Sequence, residues 1–148
     1  MNKNILIVFN GSGSERAVEE GLRAARSLSS QAKVLQILYS ELYHYGHNDL
    51  VAPRLNKAIF LYYIRDQVLE RGALEADQLR EKARNMGVPL VIEPVETDDV
   101  VATVIAEAKK GYETIYVAKE KKRLFPLLTS RTLETSLRKK GFANIVAC

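Results

Sequence analysis

The stretch Thr114–Thr132, TIYVAKEKKRLFPLLTSRT, decides how the rest of the chain is read. Its first part, Ile115 to Ala118, is β-branched and aromatic enough for a buried strand. A polar, strongly basic loop follows, and Thr129-Ser130 then supply the start signal of an amphipathic helix. In an α/β chain, a passage from strand through loop to helix is where ligands settle. The strand's carboxyl end and the helix's free N–H groups converge there.

The segments around this stretch repeat the same grammar. Asn4 to Phe9, NILIVF, is a continuous apolar run suited to a central parallel strand covered on both faces. Asn10-Gly11-Ser12-Gly13-Ser14 breaks it, and Ser14 is placed to cap a helix. Ala17, Val18, Leu22, Ala25 and Leu28 recur at helical spacing among charged neighbours, up to Ser29-Ser30-Gln31. Lys33 to Leu38 is the second strand. From Tyr39 to about Asn56 the periodicity fails, and a long loop is expected there.

A helix is expected from Lys57 to Met86, with Leu61, Ile64, Val68, Leu79, Ala83 and Met86 as its buried stripe and Gly87 as its stop. Gly72 within it costs ~1 kcal/mol relative to alanine, and a bend is expected there. Leu90 to Glu93 reads as a short strand closed by Pro94. Thr97-Asp98-Asp99 cap a helix whose Val100, Val101, Val104, Ile105 and Ala108 face inward, ending at Gly111. After the opening stretch come a helix from Ser130 to Lys140, with Leu133 and Leu137 inside, and a last strand from Asn144 to Ala147. The order β-α-β-α-β-α-β-α-β demands right-handed crossovers and a parallel sheet with helices on both faces.

The bulk numbers agree with one domain over residues 1–148. At this length ~70% of the unfolded surface can be buried. The chain is 47% apolar and 27% charged, ordinary for a globular protein. No apolar run reaches the ~20 residues of a membrane helix. The N-terminus reads as a first strand, not a leader. The single cysteine, Cys148, excludes an internal disulfide and points to a cytoplasmic setting. A net charge of +4 is concentrated at Lys119, Lys121, Lys122, Arg123, Arg131, Arg138, Lys139 and Lys140. A solvated loop and helix end explain it most simply, an anion site comes next, and no nucleic-acid motif accompanies it.

With these elements in place the chain resembles a universal stress protein. The resemblance rests on the first strand running into Asn10-Gly11-Ser12, the capped helix opening at Asp98, and the passage from Ile115 onward. It implies a three-layer α/β/α fold of the adenine nucleotide alpha hydrolase type, with sheet order 3-2-1-4-5. It also implies a homodimer built on the last strands and a ligand crevice between strands one and four. Nucleotide-binding members carry Gly-x2-Gly-x9-Gly-Ser/Thr after the fourth strand. That frame falls here on Ala118, Lys121, Arg131 and Thr132, so the spacing is kept and the three glycines are replaced. The family's aspartate after strand one is Asn10 here, and Leu38 ends the neighbouring strand. The candidate nucleotide or anion site is therefore Asn10, Gly11, Ser12, Leu38, Ala118, Lys121, Arg131 and Thr132.

Side chains in place of glycines take space that phosphates need, while Lys121 and Arg131 bring positive charge. The expectation is a non-enzymatic, stress-type regulatory dimer whose crevice is empty of ATP or holds another anion. A nucleotide-binding switch using Lys121, Arg131 and Thr132 is the alternative. An adenylating enzyme using Asn10–Ser14 is the third, and it lacks an evident acid/base pair. The Asn10–Ser14 loop has neither a P-loop lysine nor the dinucleotide spacing. His44, His47 and Asp49 make only a weak metal set. Tyr39, Tyr43, Tyr45, Tyr62 and Tyr63 read as lid or dimer packing. Cys148 has no catalytic companion.

Overall fold

A computed structural model describes residues 4–11, 13–38, 54–97, 99–119 and 133–148, with side chains of 54–61 excepted. The strands are β1 (Ile5–Phe9), β2 (Ala32–Leu38), β3 (Leu90–Glu96), β4 (Thr114–Val117) and β5 (Ile145–Ala147). The helices are α1 (Glu15–Ser27), α2 (Arg54–Met86), α3 (Val100–Ala108) and α4 (Leu133–Lys139). All neighbouring strands pair in parallel, in the order β3-β2-β1-β4-β5.

β1 is apolar at every position because helices cover both of its faces. Ile5, Ile7 and Phe9 join Val18, Leu22 and Ala25 of α1 and Leu79 and Ala83 of α2 in one core. Leu6 and Val8 point the other way, to Val104 and Ala108 of α3, Ile115 and Val117 of β4, and Leu137 of α4. The chain winds β1-α1-β2-α2-β3 over one face, then returns across the sheet to β4 and β5 over the other.

Leu28, Pro94 and Gly72 depart from the sequence reading, each for a packing reason. Leu28 is 41% exposed and caps α1 instead of filling the core. Pro94 does not close β3; the strand runs on to Glu96. The N–H of Ala32 bonds Pro89 O at 3.0 Å. In a parallel ladder that turns the odd residues of β3 toward β2 and the even ones outward. Pro94 therefore lies where its missing N–H faces the free edge, and it costs no ladder bond. Gly72 marks a close approach of α2 to β2. A Cβ there would stand 2.6 Å from Leu38 Cδ2, and the Gln36 side-chain amide donates to Gly72 O at 2.7 Å.

α2 begins at Arg54 and its 33 residues span roughly 50 Å. Strands of five to seven residues reach roughly half of that. The helix therefore carries its first half beyond the carboxyl ends of the strands. Leu79 and Ala83 are buried, and Ile64, Val68 and Met86 are half-buried. Tyr62 and Tyr63 stand 70% and 63% exposed, so neither packs a lid among the described residues. No helix among the described residues is long and apolar enough to cross a membrane.

Sequence patterning missed one buried charge. Glu107, on the inward face of α3, is 5% exposed. Its carboxylate accepts from Lys33 Nζ at 2.6 Å, Lys110 Nζ at 2.7 Å and the Tyr112 hydroxyl. Lys33 also reaches Glu93 at 2.6 Å, and the Asn144 side chain donates to Tyr112 O at 2.6 Å. This cluster ties α3, β2, β3 and the turns before β4 and β5 together at the amino pole of the sheet. The signal was present in the sequence: a glutamate one helical turn after Val104, and a lysine on the corresponding face of β2.

Candidate functional site at the carboxyl ends of the strands

β1 and β4 lie side by side, with Ile5 opposite Thr114 and Ile7 opposite Tyr116. α1, after β1, lies on one face of the sheet, and α4, after β4, lies on the other. That divergence opens a crevice at the carboxyl ends, the position where open α/β sheets take ligands. The geometry brings Asn10 and Gly11 beside Ala118 at the rim of this crevice, because continuing the ladder sets Phe9 across from Ala118.

The turn after β1 is held by its own polar groups. Gly11 and Gly13 adopt φ of 76° and 102°, a left-handed conformation that glycine takes without steric cost. Ser14 N donates to Gly11 O at 3.3 Å, and Gly13 N donates to Glu15 Oε2 at 2.9 Å. Ser14 is 1% exposed, and its hydroxyl accepts from Asn10 N at 3.0 Å. The expected side-chain cap on α1 is thus corrected: Ser14 turns back to anchor Asn10 and makes no cap bond to the helix. A cap of the expected kind does occur on α3, where Asp99 accepts from Ala102 N at 3.0 Å.

Ala118 follows β4 as an extended residue. Cys148 N donates to Val117 O at 3.0 Å, and Lys119 N donates to Cys148 O at 2.6 Å. The ladder with the last strand therefore runs past Ala118 on both sides, and the first position of the glycine frame needs no left-handed backbone. Ser12, Lys121, Arg131 and Thr132 lie outside the described residues, as do His44, His47 and Asp49.

Leu38 is not brought to the same opening as Gly11. It lines a groove of about 370 Å³ with Gln36, Ala76, Ile92 and Pro94, between α2 and the β3 edge. Gly11 lines a separate cleft of about 300 Å³ with Phe9, Val18 and Leu79, between α1 and α2. α2 stands as a ridge between the two.

The three titratable groups with the most displaced pKa values lie at the opposite, amino pole. Burial alone would raise the Glu107 carboxyl, but its bonds from Lys110, Lys33 and Tyr112 together bring it down to about 2. Burial, then the bond to Glu107, pushes the Tyr112 hydroxyl up to about 12. Burial opposes the charge on Lys33, yet its two carboxylate partners hold its pKa above the usual lysine range. All three sit at the amino pole and are structural. Burial followed by the charge of Glu20 raises the Cys148 thiol, so it is a poor nucleophile. Among the described residues no group of three His, Cys, Asp or Glu side chains is arranged to hold a metal.

No protein-family model matches the chain, and no curated protein matches it. Solved structures do. A protein of the universal stress protein family from Burkholderia pseudomallei superimposes with a TM-score of 0.68 at 13% identity, covering 99% of this chain and 96% of the other. The chain has the universal stress protein fold. A universal stress protein in complex with cAMP matches with a TM-score of 0.68 at 10% identity, over 99% and 96% of the two chains. A family protein from Arabidopsis thaliana with AMP bound matches with a TM-score of 0.63 at 14% identity, over 98% and 90%. Identities this low make the likeness one of universal stress protein architecture, over chains of nearly the same length.

Proposed function

We propose that this chain is a non-enzymatic regulatory protein of the universal stress type, one that does not hold ATP in the usual manner of that fold. The observation that carries this reading is the altered frame after β4. Ala118, Lys121 and Arg131 stand at the glycine positions, and the chain at Ala118 stays in the β-ladder. Backbone amides cannot approach a triphosphate as closely where side chains intervene. The described part of the crevice offers Asn10 and backbone groups, and no acid/base pair for turnover.

Calorimetric titration with ATP and Mg²⁺, AMP and cAMP tests this. No heat of binding is expected with ATP at protein concentrations of about 50 µM, a level at which micromolar binding is plain. Micromolar ATP binding would favour the second reading, a nucleotide switch in which Lys121, Arg131 and Thr132 carry the phosphates. That reading draws support from the nucleotides in two structures of this fold. Lys121→Ala should then weaken ATP by about tenfold or more.

The assembly is proposed to be a homodimer formed at β5. Ile115 N donates to Asn144 O, and Cys148 N to Val117 O, so Ile145 and Ala147 turn their backbone groups outward. Val146 is 39% exposed. The opposite edge is guarded by Pro94, whereas β5 carries no such guard. Ala147→Pro removes an outward N–H and leaves the β4 ladder intact. It is expected to convert a dimer to a monomer by light scattering with its circular dichroism unchanged; a dimer that survives would exclude this edge.

A further inference from the structure

The cleft between α1 and α2 lies on the sheet face that these two helices cover, and it adjoins the β1–β4 crevice at Gly11. Its floor is apolar: Phe9 at the end of β1, Val18 of α1 and Leu79 of α2. Its walls carry two cations and two carboxylates, Arg71 and Lys82 against Glu15 and Glu75, in a volume of about 300 Å³. That balance selects the ligand. A phosphate dianion meets no net positive field, and a purely apolar solute would strip water from these charges without offering them a new partner.

The pairs already present leave room for a guest. Lys82 is bridged to Glu19 at 3.1 Å, and Glu15 accepts from Gly13 N. Arg71 Nε approaches Glu75 only to 3.4 Å, longer than a well-formed charge-assisted bond of about 2.8 Å. The Arg71 side chain is 76% exposed, while Glu75 is 25% exposed. A shielded carboxylate with one long contact beside an accessible guanidinium fork can receive an ammonium and a carboxylate held a few ångströms apart. Gly11 borders the cleft in a left-handed conformation, with nothing within 4 Å of where a Cβ would stand.

We propose that this cleft binds a small zwitterion, an α-amino acid with an apolar side chain. Its carboxylate lies on Arg71, its ammonium on Glu75, and its side chain on the Phe9–Val18–Leu79 floor. The proposal does not rest on a nucleotide in the β1–β4 crevice.

The test uses the full chain with its Val and Leu methyl groups labelled, titrated with L-leucine, L-methionine and L-phenylalanine. Saturable shifts of the Val18 and Leu79 methyls are expected from at least one of the three. The matching single-charge analogues of L-leucine, 4-methylpentanoate and 3-methylbutylamine, should bind about tenfold more weakly or less. Arg71→Ala and Glu75→Gln should each weaken the amino acid by about tenfold, whereas Arg26→Ala on the far end of α1 should not. No shift from any of the three at about 10 mM overturns the proposal, since a weaker site would have no specific contacts. So does equal binding of the single-charge analogues, or affinity unchanged in Arg71→Ala.

Discussion

Glu107→Ala is expected to lower the unfolding free energy by about 3 kcal/mol, measured by urea denaturation at neutral pH. The loss comes less from the missing bonds than from what stays behind. Lys33, 20% exposed, would keep its charge with only Glu93 beside it, and the Tyr112 hydroxyl would lose its acceptor. Stranding a buried partner in this way costs about 3–5 kcal/mol, reduced here by the remaining Glu93 pair. Glu107→Gln keeps the shape and one acceptor and should cost less. Replacing Glu107 and Lys33 together by methionine should recover part of the loss, because no buried charge is then left alone.

The same carboxylate sets the acid limb of stability. Its pKa in the folded protein lies at about 2, below its ordinary 4.5. The folded state therefore holds fewer protons, and the contribution is fully present above about pH 4.5. It is lost as pH falls from there toward 2, and the total is about 3 kcal/mol. Tyr112 acts in the opposite sense: its pKa is raised from 10.0 to about 12, so its share is complete below pH 10 and is lost as pH rises through 12. In Glu107→Gln the slope of stability between pH 4.5 and 2 should flatten. An unchanged slope would remove this cluster as the origin of acid sensitivity.

Gly21→Ala is expected to destabilise by about 2 kcal/mol, against the usual direction for a glycine in mid-helix. Alanine normally gains about 1 kcal/mol there. At this position the new Cβ would stand 2.5 Å from Ile7 Cγ1 and 2.6 Å from its Cδ1. Ile7 is fully buried in the central strand, in one core with Val18, Leu22 and Ala25, so overpacking costs about 1–3 kcal/mol beyond that gain. Gly72→Ala makes the contrast. Its Cβ would meet Leu38 Cδ2, the far end of a half-exposed side chain that borders a groove. That methyl can rotate away, so the substitution should lie within about 1 kcal/mol of neutral. Equal losses at the two sites would contradict this account of how each helix rests on the sheet.

These two glycines show where patterning stops being informative. Gly21 and Gly72 look alike in the sequence, as interruptions of helical runs, and neither is distinguished by its neighbours. Only the approach of α1 to β1 and of α2 to β2 assigns them different tolerances. Leu28 and Glu107 make the converse point, since helical spacing with neighbouring core residues predicted the burial of one and passed over the other. Spacing identifies a face. Whether a face ends in solvent or against Lys33 depends on strands far away in the chain.

The sequence by itself determined the alternation of strands and helices, the central position of NILIVF, and the strand-loop-helix after Thr114. These follow from local periodicity and turn chemistry, which act over a few residues. It also determined that glycines are missing from the frame at Ala118, Lys121 and Arg131. The tertiary structure decided what depends on distant partners. It places Pro94 with its absent N–H on a free edge, turns Ser14 back onto Asn10, and keeps Ala118 in the ladder. It also divides Gly11 and Leu38 between two openings on either side of α2. Each is settled by which backbone groups and side chains meet across the sheet, and no spacing along the chain records such meetings.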